Sequence, residues 1–171
     1  MECLLIVDYR SDAERKRIDY AIERWGDKAE IKKPRGATIL FKGSNIDEFT
    51  EDLYSRLDIE EDRVEIYGIE RYSPDIEKQV KKLIYESGEE SGVIEKFIIY
   101  IMNKINASYE YSTDITKCYT AYTKKGQANI EILLKRNELT RAVISVSGYG
   151  DAVDFVADRI DDEMKVFLGG L

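Results

Sequence analysis

Residues 128–148, ANIEILLKRNELTRAVISVSG, carry apolar side chains at every second position on both sides of a polar turn. Ile130, Ile132 and Leu134 alternate with more polar neighbours before Asn137-Glu138, and Ala142, Ile144 and Val146 do so after it. A repeat of two belongs to strands, so each run predicts a strand with one apolar face, and the turn residues join them as antiparallel neighbours. That apolar face has to be covered. The sequence supplies a cover on either side of the pair: VIEKFIIYIMNKI, apolar around most of a helical circumference, and a run from Asp151 to about Leu168. The latter has Val153, Val156, Ala157, Ile160, Met164, Phe167 and Leu168 on one face. Strands grouped together and helices packed on them give an α+β domain.

The rest of the second half is read in the same way. YEYSTDITKCYTAYT predicts a further strand, separated from the next by Lys125-Gly126, which makes a three-stranded antiparallel meander. Ser73-Pro74 predicts the start of another helix, with Ser as cap and Pro at its first position, and Ile76, Val80, Leu83 and Ile84 as its buried stripe. ESGEESG ends it. The expected order for residues 73–171 is therefore α-α-β-β-β-α.

Residues 1–72 predict a second domain. ECLLIVDY has strand character. Ser11 and Glu14 form a capping box ahead of a helix with Ile18, Ala21, Ile22 and Trp25 on one face and Gly26 as its stop. AEIKK and ATILFKG predict two strands around Pro34-Arg35-Gly36. A second helix from about Ser44 carries Ile46, Phe49, Leu53 and Leu57, and RVEIYGIERY predicts the last strand. The order βαββαβ is ferredoxin-like by topology. Such domains serve many functions, so the topology decides none of them.

Composition excludes several chemistries. The chain has 34 acidic and 26 basic residues, a formal net charge of −8, which argues against a general nucleic-acid surface. Its apolar runs fall far short of the roughly 20 residues that span a bilayer, and its start lacks the pattern of a signal peptide, so a soluble cytoplasmic protein without membrane association is expected. Histidine is absent, which removes Ser-His and Cys-His catalysis and imidazole ligation together. Cys3 and Cys118 form no C-x-x-C and read as buried structural thiols. No metal site and no cofactor are expected. Abundant Lys, Glu, Arg and Ile with little Gln fits adaptation to heat.

VSGYGDAV has the outline of a strand running through glycines into a helix, where phosphates are often bound. Residue 153 is Val, no G-K-[ST] follows, and Asp151 stands where its carboxylate caps the helix and repels an anion. Asp151, Asp154, Asp158 and Asp162 lie along one helix face, and one helical step of about 5 to 6 Å separates each from the next. They read as a solvated face. Phe155 projects from that face, and Tyr109 and Tyr111 belong to a tyrosine-rich strand; all three are candidates for a partner surface.

The order of elements in the second half, together with KKGQANIEILLKR, TRAVISVSGYGDAVDFVADRI and FLGG, resembles the superfamily of NifU-like iron–sulfur scaffolds, SufE-type sulfur acceptors and the C-terminal domain of lipoate-protein ligases. In the scaffolds, cysteines in two glycine-bearing turns hold the cluster. Lys125 and Tyr149 occupy those positions here, so the resemblance implies the fold without the cluster, which needs thiolates.

The sequence is thus read as an α+β chain, a ferredoxin-like domain over 1–72 and a scaffold-like domain over 73–171. It is expected to act as a non-enzymatic binding module for an unidentified protein or small molecule, with self-association as a further expectation. Its site is expected where the Lys124–Gln127 and Ser147–Asp151 turns meet, with Lys125, Gln127, Tyr149 and Asp151 as ligand-binding candidates. Two alternatives stand beside this. One is an enzyme with Lys125 as base, Tyr149 as acid and Asp151 as orienting carboxylate. The other is an RNA-associated protein using the edge from Lys32 through Lys33 to Arg35.

Overall fold

A computed structural model describes residues 3–57 and 64–169. The chain divides into two compact units, Met1–Gly68 and Ile69–Leu171. Helices and an antiparallel sheet together make it an α+β protein. No helix among the described residues is long and apolar enough to cross a membrane.

The described part of the first unit holds two helices, α1 (Asp12–Trp25) and α2 (Ile46–Ser55), at the expected places. The Ser11 hydroxyl accepts from the Glu14 amide at 3.2 Å, and the Glu14 carboxylate accepts from the Arg10 amide at 2.6 Å, so the predicted cap closes from both sides. Asn45 precedes α2 and donates to Glu48, and Phe49 of α2 stacks on Phe41 with ring centroids 5.3 Å apart. The four expected strands are not formed among the described residues. An apolar run becomes a strand only when a neighbour supplies ladder partners, and the described residues of these runs are unpaired. Neither α1 nor α2 buries a residue, and Leu5, Ile6, Ile39 and Leu40 are exposed.

In the second unit the order is β1 (Gln79–Ser87), α3 (Ser91–Lys104), β2 (Ala107–Ser112), β3 (Thr116–Thr123), β4 (Gly126–Arg136), β5 (Thr140–Gly148) and α4 (Ala152–Gly169). The five strands form one antiparallel sheet in the order β1-β5-β4-β3-β2. This corrects the expected α-α-β-β-β-α in two places. The stretch around Val80, Leu83 and Ile84 is strand β1 rather than a helix, because it lies alongside β5 from Gln79↔Gly148 to Ser87↔Thr140. A helical stripe had combined side chains that the strand sends to opposite faces. Likewise, residues 107–123 form a hairpin of two strands, since Thr113 turns the chain: its amide donates to the Thr116 carbonyl at 2.9 Å, and its hydroxyl accepts from the Thr116 amide at 3.0 Å. The expected three-stranded meander is a four-stranded one, closed on its far side by β1.

Both helices of this unit cover the same sheet face. Ile94, Ile98, Ile101 and Met102 of α3 and Val153, Val156, Ala157, Ile160 and Met164 of α4 meet Ala128, Ile130, Ile132, Ala142, Ile144 and Val146 in one core. The alternation along β4 and β5 is thereby confirmed as their inward face. Phe97 of α3 stacks on Phe167 of α4 at 3.9 Å, and Lys104 pairs with Glu163 at 2.7 Å, so the helices are also tied to each other. Asn106 takes a left-handed conformation, φ 54°, just beyond α3, where Asn is one of the few side chains tolerated. Burial raises the Tyr85 hydroxyl pKa, aided by its 2.8 Å bond to Asp161 of α4. Asp161 is in turn held below its ordinary range, first by its bond to Lys165 and then by Tyr85.

Candidate functional site

The two glycine-bearing turns of the second unit do meet. Ala128 pairs with Gly148, which sets Gln127 beside the Gly148–Tyr149 turn. They meet tightly: a Cβ added to Gly148 would lie 2.8 Å from the Gln127 carbonyl oxygen, and one added to Gly126 would lie 3.4 Å from the Ala152 Cβ. Gly126 and Gly150 both have positive φ, which their turns require. The join is a packed contact rather than a cleft.

The Lys125 ammonium lies over the Phe155 ring at 5.1 Å from its centroid, and the Arg159 guanidinium lies 4.9 Å from the same centroid. Phe155 itself is half-buried against the core. Tyr149 is 59 % exposed, and no hydrogen bond or ion pair among the described residues joins Lys125, Tyr149 and Asp151. Asp151 precedes α4 and its carbonyl accepts the Phe155 amide at 3.1 Å. Gln127 stays on β4, next to the turn. A base, an acid and an orienting carboxylate would have to act on one substrate atom, and no hydrogen bond or ion pair among the described residues draws these three together.

The remaining sequence candidates also have definite places. Tyr109 and Tyr111 are exposed on edge strand β2, and the register shift between them sends them to opposite faces: Tyr109 pairs with Tyr119, whose ring it meets edge-on at 5.5 Å, and Tyr111 pairs with Cys118. Cys118 is buried as expected, whereas Cys3 is exposed. That corrects the expectation of a buried Cys3, since the apolar run around it is unpaired. Among the acids of α4, Asp154 and Asp158 reach the Lys81 ammonium of β1 at 2.7 and 3.6 Å, and no group of acidic or thiol side chains among the described residues could hold a metal ion. On the basic edge, Lys32 pairs with Glu30 at 2.6 Å and Lys33 pairs with Asp19. Two of its three cations therefore face carboxylates, which weakens any attraction for phosphates.

A concavity exists elsewhere in the second unit, where residue patterns had not placed one. It lies between the first half of α3 and the β2–β3 turn, with a volume of about 290 Å³. Ile98, Tyr119, Ile132 and Leu134 give it an apolar floor, and Ile99 and Ile115 an apolar rim. Ser91, Thr113, Asp114 and Arg136 bring polar groups to the same space. One wall is an ion pair across the cavity, Glu95 of α3 with Lys117 of β3, and that bond raises the Lys117 pKa above its ordinary value. Arg136 stands at the end of β4 with no ion-pair partner among the described residues. The sequence signal was Ser112-Thr113-Asp114, a turn cluster inside a strand-like run. It was legible as a hairpin only once β2 and β3 are separated.

No protein-family model matches the chain, and no curated protein matches it.

Proposed function

We propose that the chain is a non-enzymatic binding module and that its second unit takes a small carboxylate-bearing molecule in the cavity beside α3. The observation that carries this reading is an unpartnered cation, Arg136, at the edge of a concavity with an apolar floor. Ligand sites combine those features: apolar walls supply affinity and a few polar groups fix orientation, within volumes of roughly 300–1,000 Å³. A guanidinium offers two parallel donors to a carboxylate. The apolar part of the ligand would rest on Ile98, Ile132 and Leu134, and Asp114 favours a ligand that also carries an amine. The Glu95–Lys117 pair, satisfied internally, keeps the wall near neutral.

The NifU-like resemblance is consistent with a binding role and adds no chemistry, because Lys125 and Tyr149 replace the thiolates. A ferredoxin-like arrangement of residues 2–72 is proposed alongside. It requires the apolar runs to pair, and slow amide exchange along 37–43 is the result it expects.

Thermal-shift measurements on the full chain with amino, hydroxy and keto acids test the ligand site. Stabilisation by at least one of these, lost on Arg136→Ala and on filling the floor with Leu134→Trp, is expected. No stabilisation by any of them, or stabilisation that both variants retain, would sink the proposal.

A further inference from the structure

The sheet of the second unit has a second face, opposite α3 and α4. On it the side chains of β1, β5 and β4 form three rows across the strands. Ile84, Val143 and Leu133 are register partners and make an apolar middle row. On one side of it run Lys82, Ser145 and Glu131, and on the other Glu86, Arg141 and Lys135. Each strand thus reads as one polar group, an apolar residue, then another polar group: Lys82–Ile84–Glu86 on β1 and Glu131–Leu133–Lys135 on β4 carry opposite charges on either side of the apolar row. Ile84 is 49 % exposed. Lys82, Glu131 and Lys135 have no ion-pair partner among the described residues, and Glu86 meets Arg141 only at 3.7 Å.

From this pattern we infer that the face pairs with the same face of a second copy of the chain, about a two-fold axis running along the Ile84–Val143–Leu133 row. Rotation by a half-turn about that line keeps each strand over its own copy and exchanges the two flanking rows. Lys82 then faces the partner's Glu86, Glu131 faces the partner's Lys135, and Ser145 faces the partner's Arg141. The apolar residues meet their own counterparts. An isologous contact makes every such pair twice. Stacked sheets lie about 10 Å apart, a gap that apolar side chains from both faces fill and that long charged ones bridge. The three strands span only about 10 Å, so the roughly 30° angle between aligned sheets moves the flanking charges by a few ångströms, within the reach of Lys and Glu. A different partner would have to match the same inverted pattern of charges; a second copy matches it by symmetry alone.

Sedimentation equilibrium of the full chain tests this, with circular dichroism to confirm that each variant is folded. Wild type is expected to dimerise, and Lys82→Glu or Glu86→Lys alone to raise the dissociation constant at least about tenfold, since each sets like charges against each other. The double exchange Lys82→Glu with Glu86→Lys restores the pairing and is expected to bring the constant back to within about threefold of wild type. Glu131→Lys with Lys135→Glu repeats the test on a separate strand. Val143→Glu on the axis itself is expected to yield monomer. A wild-type chain that stays monomeric at high micromolar concentration would overturn the inference. So would a dimer indifferent to the single reversals, or one that the double exchange fails to restore.

Discussion

Replacing Gly148 by alanine puts the central joint of the second unit to a quantitative test. Gly148 ends β5 in an extended conformation, so backbone strain is not at issue; the added methyl group is. It would sit 2.8 Å from the Gln127 carbonyl oxygen, 3.3 Å from Val153 Cγ2 and 3.5 Å from Ala128 Cα. Ordinary contact begins at 3.4 Å, so β4 must retreat by roughly 0.6 Å while remaining hydrogen-bonded to β5. Insertion of a methyl into close-packed surroundings costs about 1–3 kcal/mol. The lower chain entropy of unfolded alanine offsets about 0.4–1 kcal/mol of that. A net loss of about 1–2 kcal/mol is expected. Two other glycines calibrate it. Gly92 near the start of α3 has open space around it, so alanine there is expected to be neutral or to stabilise by up to about 1 kcal/mol. Gly150 is also open but has φ +63°, so its alanine variant isolates the left-handed cost of about 1–2 kcal/mol. Urea unfolding should be followed by far-ultraviolet circular dichroism, to which the strands and helices of the second unit contribute directly, whereas Trp25, the single tryptophan, belongs to the first unit. If Gly148→Ala proves no less stable than Gly92→Ala, the turns are not packed as described.

Other consequences follow from the same packing. Ile144→Ala removes a fully buried side chain between the helices and the sheet and is expected to cost about 2–5 kcal/mol in urea unfolding. Tyr85→Phe deletes the hydroxyl that bonds Asp161 and is expected to cost about 1–2 kcal/mol at neutral pH. Because the folded state depresses the Asp161 pKa, that carboxylate's contribution is present above its ordinary value of 3.8 and is lost as pH falls through the depressed value. The deficit of the Phe variant should therefore shrink in unfolding experiments below about pH 4. The raised Tyr85 pKa acts at the other end: its contribution is present below the ordinary value of 10.0 and begins to be lost above it, a decline that the Phe variant should lack. Phe155→Leu keeps an apolar body but removes the ring under Lys125 and Arg159, and is expected to cost about 1 kcal/mol, a loss that Lys125→Ala reduces in a double-mutant cycle.

How far the sequence could be read depended on whether each element carries its own signal. α1 was legible because Ser11 and Glu14 are local to it, and α3 because its apolar residues outnumber what one face can hold. β4 and β5 were legible from alternation, and the meeting of the two glycine turns follows from pairing them. β1 was not, because its partner lies some 60 residues away in β5 and its outward face is itself partly apolar. With Val80 and Ile84 outside and Leu83 and Tyr85 inside, the spacing imitates a helical stripe after Ser73-Pro74. The runs of the first unit show the converse: strand propensity in ECLLIVDY or ATILFKG is a preference for a paired environment, and the described residues provide none. At the candidate site, residue types drew attention to Lys125 and Tyr149, while the cavity depends on how α3 lies across β3 and β4, a tertiary relation to which neither Lys117 nor Arg136 gives a local clue.

The proposed binding role is tested most directly by methyl-resolved NMR of the isoleucines in the full chain, titrated with small amino, hydroxy and keto acids. Ile98, Ile99, Ile115 and Ile132 line the cavity, whereas Ile84 and Ile160 lie away from it. Saturable shifts confined to the four cavity methyls, and abolished by Arg136→Ala, are the predicted result. Shifts from no member of the series at millimolar concentration, or shifts that survive loss of Arg136, would contradict it.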